Sequence, residues 1–215
     1  MNIRTFFALA AAFAIVVPIG SIRAQAIGVG AGLAIPSAEI GALPESVRND
    51  GWDDIESRAE RGYFIEVRGR LGSETSLTGA VSYNRFLDAT SDFSDGSGRT
   101  VSLITSQAIV PASLGLELTL GEGLVSPWAT VEGTISYFYR SFESPYESTP
   151  VPFRIESSGE TRYGAAVGAG TSLDLGVLRF DAFARAQFVN LFGGAAAGEP
   201  TMYFLQLGLS GYFGL

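Results

Sequence analysis

The chain has 215 residues, with fourteen basic residues against 22 acidic ones, a net charge of −8, and neither cysteine nor histidine. This excludes a disulfide framework and thiol chemistry, a basic nucleic-acid footprint, and the hydrolytic templates that rely on a histidine base. The chain therefore reads as a non-enzyme that needs no cofactor and no metal.

The first segment reads as a targeting sequence. Met1 to Arg4 gives a positive start, Phe6 to Val17 is apolar, and Pro18, Gly20 and Ser21 break the run. Ala24-Gln25-Ala26 has the small-x-small form of a cleavage site, so residues 1–26 are predicted to be a secretory signal peptide. The apolar run is shorter than the ~20 residues a membrane-spanning helix needs. Residues 27–215 then form one domain, and loss of Arg4 and Arg23 takes its net charge from −8 to −10.

Eight strands follow in order. Ile27 to Ile35 alternates Ile27, Val29, Ala31, Leu33 and Ile35 with Gly28, Gly30 and Gly32. Gly62 to Leu71 sets Tyr63, Ile65, Val67 and Leu71 against Glu66, Arg68 and Arg70. Ser76 to Leu87 sets Leu77, Val81 and Tyr83 against Thr78, Ser82 and Asn84. The fourth strand lies within Arg99 to Leu120, where Leu114, Leu116, Leu118 and Leu120 alternate with Gly115, Glu117 and Thr119. Pro111 has no amide proton for a ladder, so a β-bulge is expected near it.

The fifth strand, Trp128 to Arg140, alternates Ala129, Val131, Ile135, Tyr137 and Tyr139 with Thr130, Glu132, Thr134 and Ser136. Thr161 to Leu173 sets Tyr163, Ala165, Val167 and Ala169 against Arg162, Gly164, Gly168 and Gly170. Val177 to Val189 sets Leu178, Phe180, Ala182, Ala184 and Phe188 against Arg179, Asp181 and Arg185. Thr201 to Leu215 closes the series with Tyr203, Leu205, Leu207, Leu209, Phe213 and Leu215 in step.

The connections alternate. Pro36 to Arg61, Asp88 to Gly98, Ser141 to Gly159 and Asn190 to Pro200 are long, whereas Gly72 to Thr75, Gly121 to Ser126 and Asp174 to Gly176 are short. Segments of about ten alternating residues, joined by short turns on one side and long loops on the other, describe an all-β, eight-stranded, antiparallel up-and-down transmembrane barrel. The short turns would be periplasmic and the long loops extracellular, which puts the protein in a cell outer membrane with lipid and the assembly machinery as partners.

Charge placement tests this register. A charge on the lipid face at mid-membrane costs roughly 2–4 kcal/mol, so strand charges must face inward. Glu66, Arg68, Arg70, Glu117, Glu132, Arg162, Arg179, Asp181 and Arg185 all do, five Arg against four carboxylates. Arg85 alone falls outward, near a strand end, where it can snorkel to the headgroups. An eight-stranded barrel has room for side chains or one small ligand, so a plugged interior of Arg–carboxylate contacts is expected. The Gly-rich first and sixth strands beside the Arg-bearing second and seventh suit a narrow interior. Tyr63, Tyr83, Trp128, Tyr137, Tyr139, Tyr163, Tyr203, Tyr212 and Phe213 would form aromatic girdles at both interfaces; the competing reading makes them the core of a soluble sandwich.

Ile109 to Leu120 followed by Ser126 to Tyr137 resembles the small outer-membrane protein β-barrel domain family, whose members show a Pro-x-x-x-Gly-Leu strand, a short turn, and a Pro-aromatic opening to the next strand. The ending Leu207 to Phe213 is similar to that family's closing strand, which serves as an assembly signal. Leu209, Gly211, Phe213 and Leu215 carry that pattern here, with Gly214 and Leu215 following the aromatic residue. The resemblance implies eight antiparallel strands, an outer membrane, and a structural, adhesive or transport-related role. The chain matches a barrel-only member, with no peptidoglycan-binding domain after the last strand.

Other motifs have blander readings. Asn49 to Glu56 gathers four carboxylates, and Asp88, Asp92 and Asp95 gather three more. Oxygen clusters can attract calcium, but the spacing does not match a calcium loop, so these read as a solvated acidic face. Neither Gly28 to Gly32 nor Gly164 to Gly170 opens a helix after a strand, so neither is a phosphate loop. Ser144 to Pro152 is a stiff, proline-rich tip that could present Tyr146 and Phe153 to a partner. Two functions remain: a structural or surface-interaction barrel, in its simplest form a monomer, and a conduit or single-ligand barrel. A soluble lipid-binding barrel conflicts with the apolar outward faces.

Overall fold

The computed structural model describes residues 25–41, 59–94, 100–121, 123–144, 153–156, 159–193 and 199–214. The strands are β1 (Gln25–Pro36), β2 (Glu60–Gly72), β3 (Thr75–Ser94), β4 (Thr100–Thr119), β5 (Val125–Ser144), β6 (Phe153–Glu156), β7 (Glu160–Asp174), β8 (Leu178–Gly193) and β9 (Tyr203–Gly214). A 3-10 turn, Ala38–Gly41, follows β1. β6 is a four-residue addition to the end of β5. The other eight strands pair antiparallel in the ring β4-β3-β2-β1-β9-β8-β7-β5, which β4–β5 pairing closes. The fold is therefore an eight-stranded up-and-down barrel, and no backbone edge is left around its wall.

Local sequence explains this shape. The three tight turns carry Gly72, Gly121 and Gly176 at φ values of 120°, 91° and 87°, a region where a residue without Cβ is unstrained. Between turns, the period-2 alternation sends one face outward and the other into the lumen. Val29, Leu33, Leu77, Leu114, Leu116, Val131, Ile135, Val167, Leu205, Leu207 and Leu209 stand exposed on the outside. In water such a belt would be an aggregation surface; around a closed barrel it is a lipid-facing band.

Several expectations are corrected. β3, β4 and β5 each run 20 residues, roughly twice the 9–11 a spanning strand needs. Within the expected loop Asp88 to Gly98, Asp88 to Ser94 is strand, and Ala89 to Ser94 pairs with Thr100 to Thr105. One wall of the barrel thus projects past the loop end, and β6 extends it. The irregularity expected at Pro111 lies elsewhere. Pro111 pairs in register with Ser136, and the β3–β4 register shifts between Phe86 and Ala89. Pro111 is accommodated by a gap in the ladder, since Ser82 and Tyr83 carry no pairing to β4 while the register on either side is unchanged. A second irregularity lets β8 gain residues opposite β7 between Tyr163 and Ala165.

The aromatic girdles also differ. Trp128 and Tyr212 face the lumen, 3% and 2% exposed. Each falls on the inward parity of its strand, and each fills space left by a glycine. Tyr63, Tyr83, Tyr137, Tyr139, Tyr163 and Tyr203 do face outward, but all belong to the loop half of the barrel. The turn end is ringed by Phe180, Phe213, Leu118, Leu173 and Val125. The residues 1–24 of the expected signal peptide lie outside the described residues, while Gln25 and Ala26 already pair with Leu71 and Arg70. The acidic segment 49–56, Asp95, and 145–152 of the proline-rich tip also lie outside them.

Candidate functional site: the barrel interior

The lumen is built in layers. At the turn end, four charged side chains from three strands close a ring. Arg70 Nη2 donates to Glu117 Oε2 at 2.8 Å and to Asp181 Oδ2 at 2.6 Å. Arg179 Nε donates to Asp181 Oδ1 at 3.1 Å, and Arg179 Nη2 lies 3.5 Å from Glu117 Oε1. Charge alternates around this ring, so it is neutral. That balance is what a buried cluster requires, because an uncompensated charge there costs several kcal/mol. The Arg70 guanidinium also lies over the Tyr212 ring at 4.1 Å and the Trp128 ring at 5.3 Å, both cation–π contacts.

One layer toward the loops, Arg68 bridges two carboxylates. Its Nε donates to Glu66 Oε1 at 3.0 Å, and Nη1 and Nη2 donate to Glu132. Arg185 donates to Glu66 from the opposite side and to Gln206 Oε1 at 3.2 Å. Thr78 and Thr130 hydroxyls donate to Glu132 Oε1 at 3.3 Å each. An amide relay continues inward: Gln187 Nε2 donates to Gln206 Oε1, and Gln206 Nε2 donates to Asn84 Oδ1 at 2.8 Å. Phe64, Trp128 and Phe183 pack among these groups, with Phe183 5.9 Å from Phe64 and 6.3 Å from Trp128.

Above this lies an apolar layer of Ala34, Ile40, Phe86, Ile109, Phe138, Val189, Met202 and Phe204. Ile40, fully buried, comes from the 3-10 turn, which folds back over the lumen. The turn is held to the wall because Ser37 N donates to Tyr203 O at 2.8 Å and Tyr203 N donates to Ser37 Oγ at 3.3 Å. At the loop end, Arg162 pairs with Glu160 and with Glu199 at 3.2 Å, and Arg140 lies 3.9 Å from Glu160.

The nine lumen charges read from the sequence thus fall into three groups. Arg70, Glu117, Arg179 and Asp181 share the turn-end ring; Glu66, Arg68, Glu132 and Arg185 share the central network; Arg162 stands apart at the loop end. Arg140 also faces inward and is buried. It ends the fifth strand as read from the sequence, on the parity of Ser136 and Phe138, and so belongs with the inward charges although the outward alternation runs only to Tyr139. Gln187, Gln206 and Asn84 were missed as a relay because neutral amides carry no pattern beyond alternation. Arg85 faces outward, pairs with Asp88 at 2.6 Å, and donates to Gln107 O. Of the closing-strand residues, Leu209 and Phe213 are exposed on the outer face, and Gly211 packs beside the Phe180 ring. Leu215 lies outside the described residues.

The small-beside-large complementarity is met mostly by aromatics. A Cβ on Gly28 would lie 2.4 Å from the Tyr212 ring, and one on Gly170 would lie 2.6 Å from Trp128. Gly168 instead faces the Arg185 stem at 3.3 Å. Among the described residues no group of three or more Asp and Glu side chains is placed to hold a metal ion.

No protein-family model matches the chain, and no curated protein sequence matches it. Among solved structures the chain is similar to Neisserial surface protein A, with a TM-score of 0.52 and 12% identity over 88% of this chain and 96% of that one. It is also similar to Ail, the attachment invasion locus protein of Yersinia pestis, at a TM-score of 0.48 and 10% identity over 89% and 99% of the two chains. The outer membrane protein OprG from Pseudomonas aeruginosa gives 0.47 and 11% over 89% and 97%. At these identities the likeness is one of fold: the chain folds as a small eight-stranded outer-membrane barrel.

Proposed function

We propose that this protein is a monomeric outer-membrane barrel, exported by residues 1–26, that acts in envelope structure or surface interaction rather than as an open pore. The observation that supports this most directly is the filled lumen. Two layers of paired charge and one apolar layer lie in series along its axis. Ions crossing such a lumen would have to separate buried ion pairs and pass an apolar constriction, each a barrier of several kcal/mol. The loop end, where the wall of β3, β4 and β5 projects, is the surface offered to the outside. Leu209, Gly211, Phe213 and Leu215 are proposed to be read by the assembly machinery, and the Val/Leu/Ile belt to meet lipid. The lumen charges serve structure rather than catalysis.

The conduit or single-ligand reading is favoured by one observation, the cavity at the turn end. Planar-bilayer recording separates the two. Silence from the purified barrel, and from Arg179→Ala and Glu132→Ala, fits the plugged reading. Discrete steps whose size changes in those variants would replace it with the conduit.

A further inference from the structure

The turn end of the lumen opens into a cavity of about 530 Å³, lined in part by Arg70, Arg179, Tyr212, Ser172, Glu74 and Asp174. This volume is in the usual range for small-molecule sites. Its floor is the neutral ring described above, but that ring is not saturated. Arg70 is 3% exposed, its Nε and Nη2 are both engaged, and its Nη1, like Glu117 Oε1 in the same ring, is buried with no hydrogen-bond partner among the described residues. An unpartnered guanidinium donor at that depth is costly. Arg179 offers the second opening. Its side chain is 22% exposed, and its contact to Glu117, at 3.5 Å, is the longest edge of the ring.

The rim has the opposite character. Glu74 and Asp174 line it, both solvent-exposed, and Asp174 Oδ1 accepts from Gly176 N at 2.8 Å, which fixes its carboxylate in the turn. Asp174 sits opposite Arg179 in the β7–β8 register, on the lumen parity it shares with Ser172. A simple anion reaching the floor would have to remain beside two rim carboxylates. A simple cation attracted to the rim would find guanidinium donors below. A solute carrying both charges satisfies both levels.

We propose that this cavity binds a small zwitterion, an amino acid or short peptide, with its carboxylate on the partly exposed Arg179 guanidinium above the Arg70 floor and its ammonium toward Glu74 and Asp174. Carboxylate recognition by a guanidinium uses charge-assisted hydrogen bonds, and the surrounding low-dielectric wall strengthens them. The inference is independent of whether the barrel conducts, because the site lies on the turn side of the apolar layer.

The test is calorimetric titration of the folded, detergent-solubilised barrel with glycylglycine, with acetate and ethylamine as single-charge probes. Saturable binding near the millimolar range, about 4 kcal/mol, is expected for the dipeptide. Acetate and ethylamine should each bind about tenfold more weakly, and Arg179→Gln, Glu74→Gln and Asp174→Asn should each weaken the dipeptide by a similar factor. The two rim variants alter only exposed side chains, so they remain informative if Arg179→Gln fails to fold. Asp92→Asn, at the loop end, should change nothing. Absence of saturable binding up to about 50 mM, far beyond the expected range, overturns the proposal. So does acetate binding as tightly as the dipeptide, or rim variants that bind with unchanged affinity.

Discussion

Arg70 on β2 and Asp181 on β8 meet at 2.6 Å across the lumen, although they are 111 residues apart and their strands are not neighbours in the wall. The contact therefore ties together two arcs of the barrel that the backbone ladder joins through β1 and β9 on one side and through β3, β4, β5 and β7 on the other. Asp181 also holds Arg179, so its loss leaves two guanidiniums sharing one carboxylate, Glu117. Asp181→Ala is expected to destabilise the barrel by about 3–5 kcal/mol, the usual effect of orphaning a buried charge. Asp92→Asn, exposed on β3, is expected to stay within about 0.5 kcal/mol. Urea unfolding followed by electrophoretic mobility measures both; equal midpoints would mean the ring contributes nothing.

The outward face makes a separate prediction. Leu207 is exposed beside Leu33 and Ala184, in the middle of the apolar band. Leu207→Arg places a charge in the hydrocarbon and is expected to cost roughly 2–4 kcal/mol in a bilayer. Tyr63→Arg, in the aromatic ring near the loop end, is expected to be nearly neutral because its head can reach the interface. Refolding titrations into lipid vesicles compare the two.

Interior fit is tested at Gly28. Its missing side chain is the space that Tyr212 occupies, with a Cβ only 2.4 Å from the ring. Gly28→Val is expected to lower the yield of folded barrel, and adding Tyr212→Ala should restore it. If the single variant folds normally, the lumen is looser than the structure indicates.

The apolar layer should behave as a core. Phe86 and Phe204 meet edge-on at 5.7 Å and are fully buried. Phe204→Ala is expected to cost about 3–5 kcal/mol, readable as a lowered thermal midpoint of the folded band.

Much of this was legible in the sequence because a barrel wall obeys one rule. Period-2 alternation, checked against the cost of charge in lipid, is sufficient to place Glu66, Arg68, Arg70 and Asp181 on the lumen side. What alternation cannot give is which lumen groups touch, since that depends on the stagger between strands that are not neighbours. Arg162 has the same parity as Arg179 yet lies at the other end of the barrel. Residue type points Trp128 and Tyr212 to the girdles, but parity decides: both sit on inward positions, and glycines opposite them supply the room. The paired stretch after Asp88 reads as loop because its composition is polar. Outside the membrane a strand needs no apolar face, only a partner ladder. The folding back of Ile40 over the lumen has no sequence signal at all, since a single apolar residue in a loop is ordinary.

Every contact described above depends on a closed barrel in an outer membrane. Membrane fractionation combined with electrophoresis of boiled and unboiled samples tests it most directly. The expected result is a protein in the outer-membrane fraction whose mobility changes only on boiling, because the closed ladder and the paired lumen survive detergent. A protein recovered in the soluble fraction, with identical mobility before and after boiling, would contradict it.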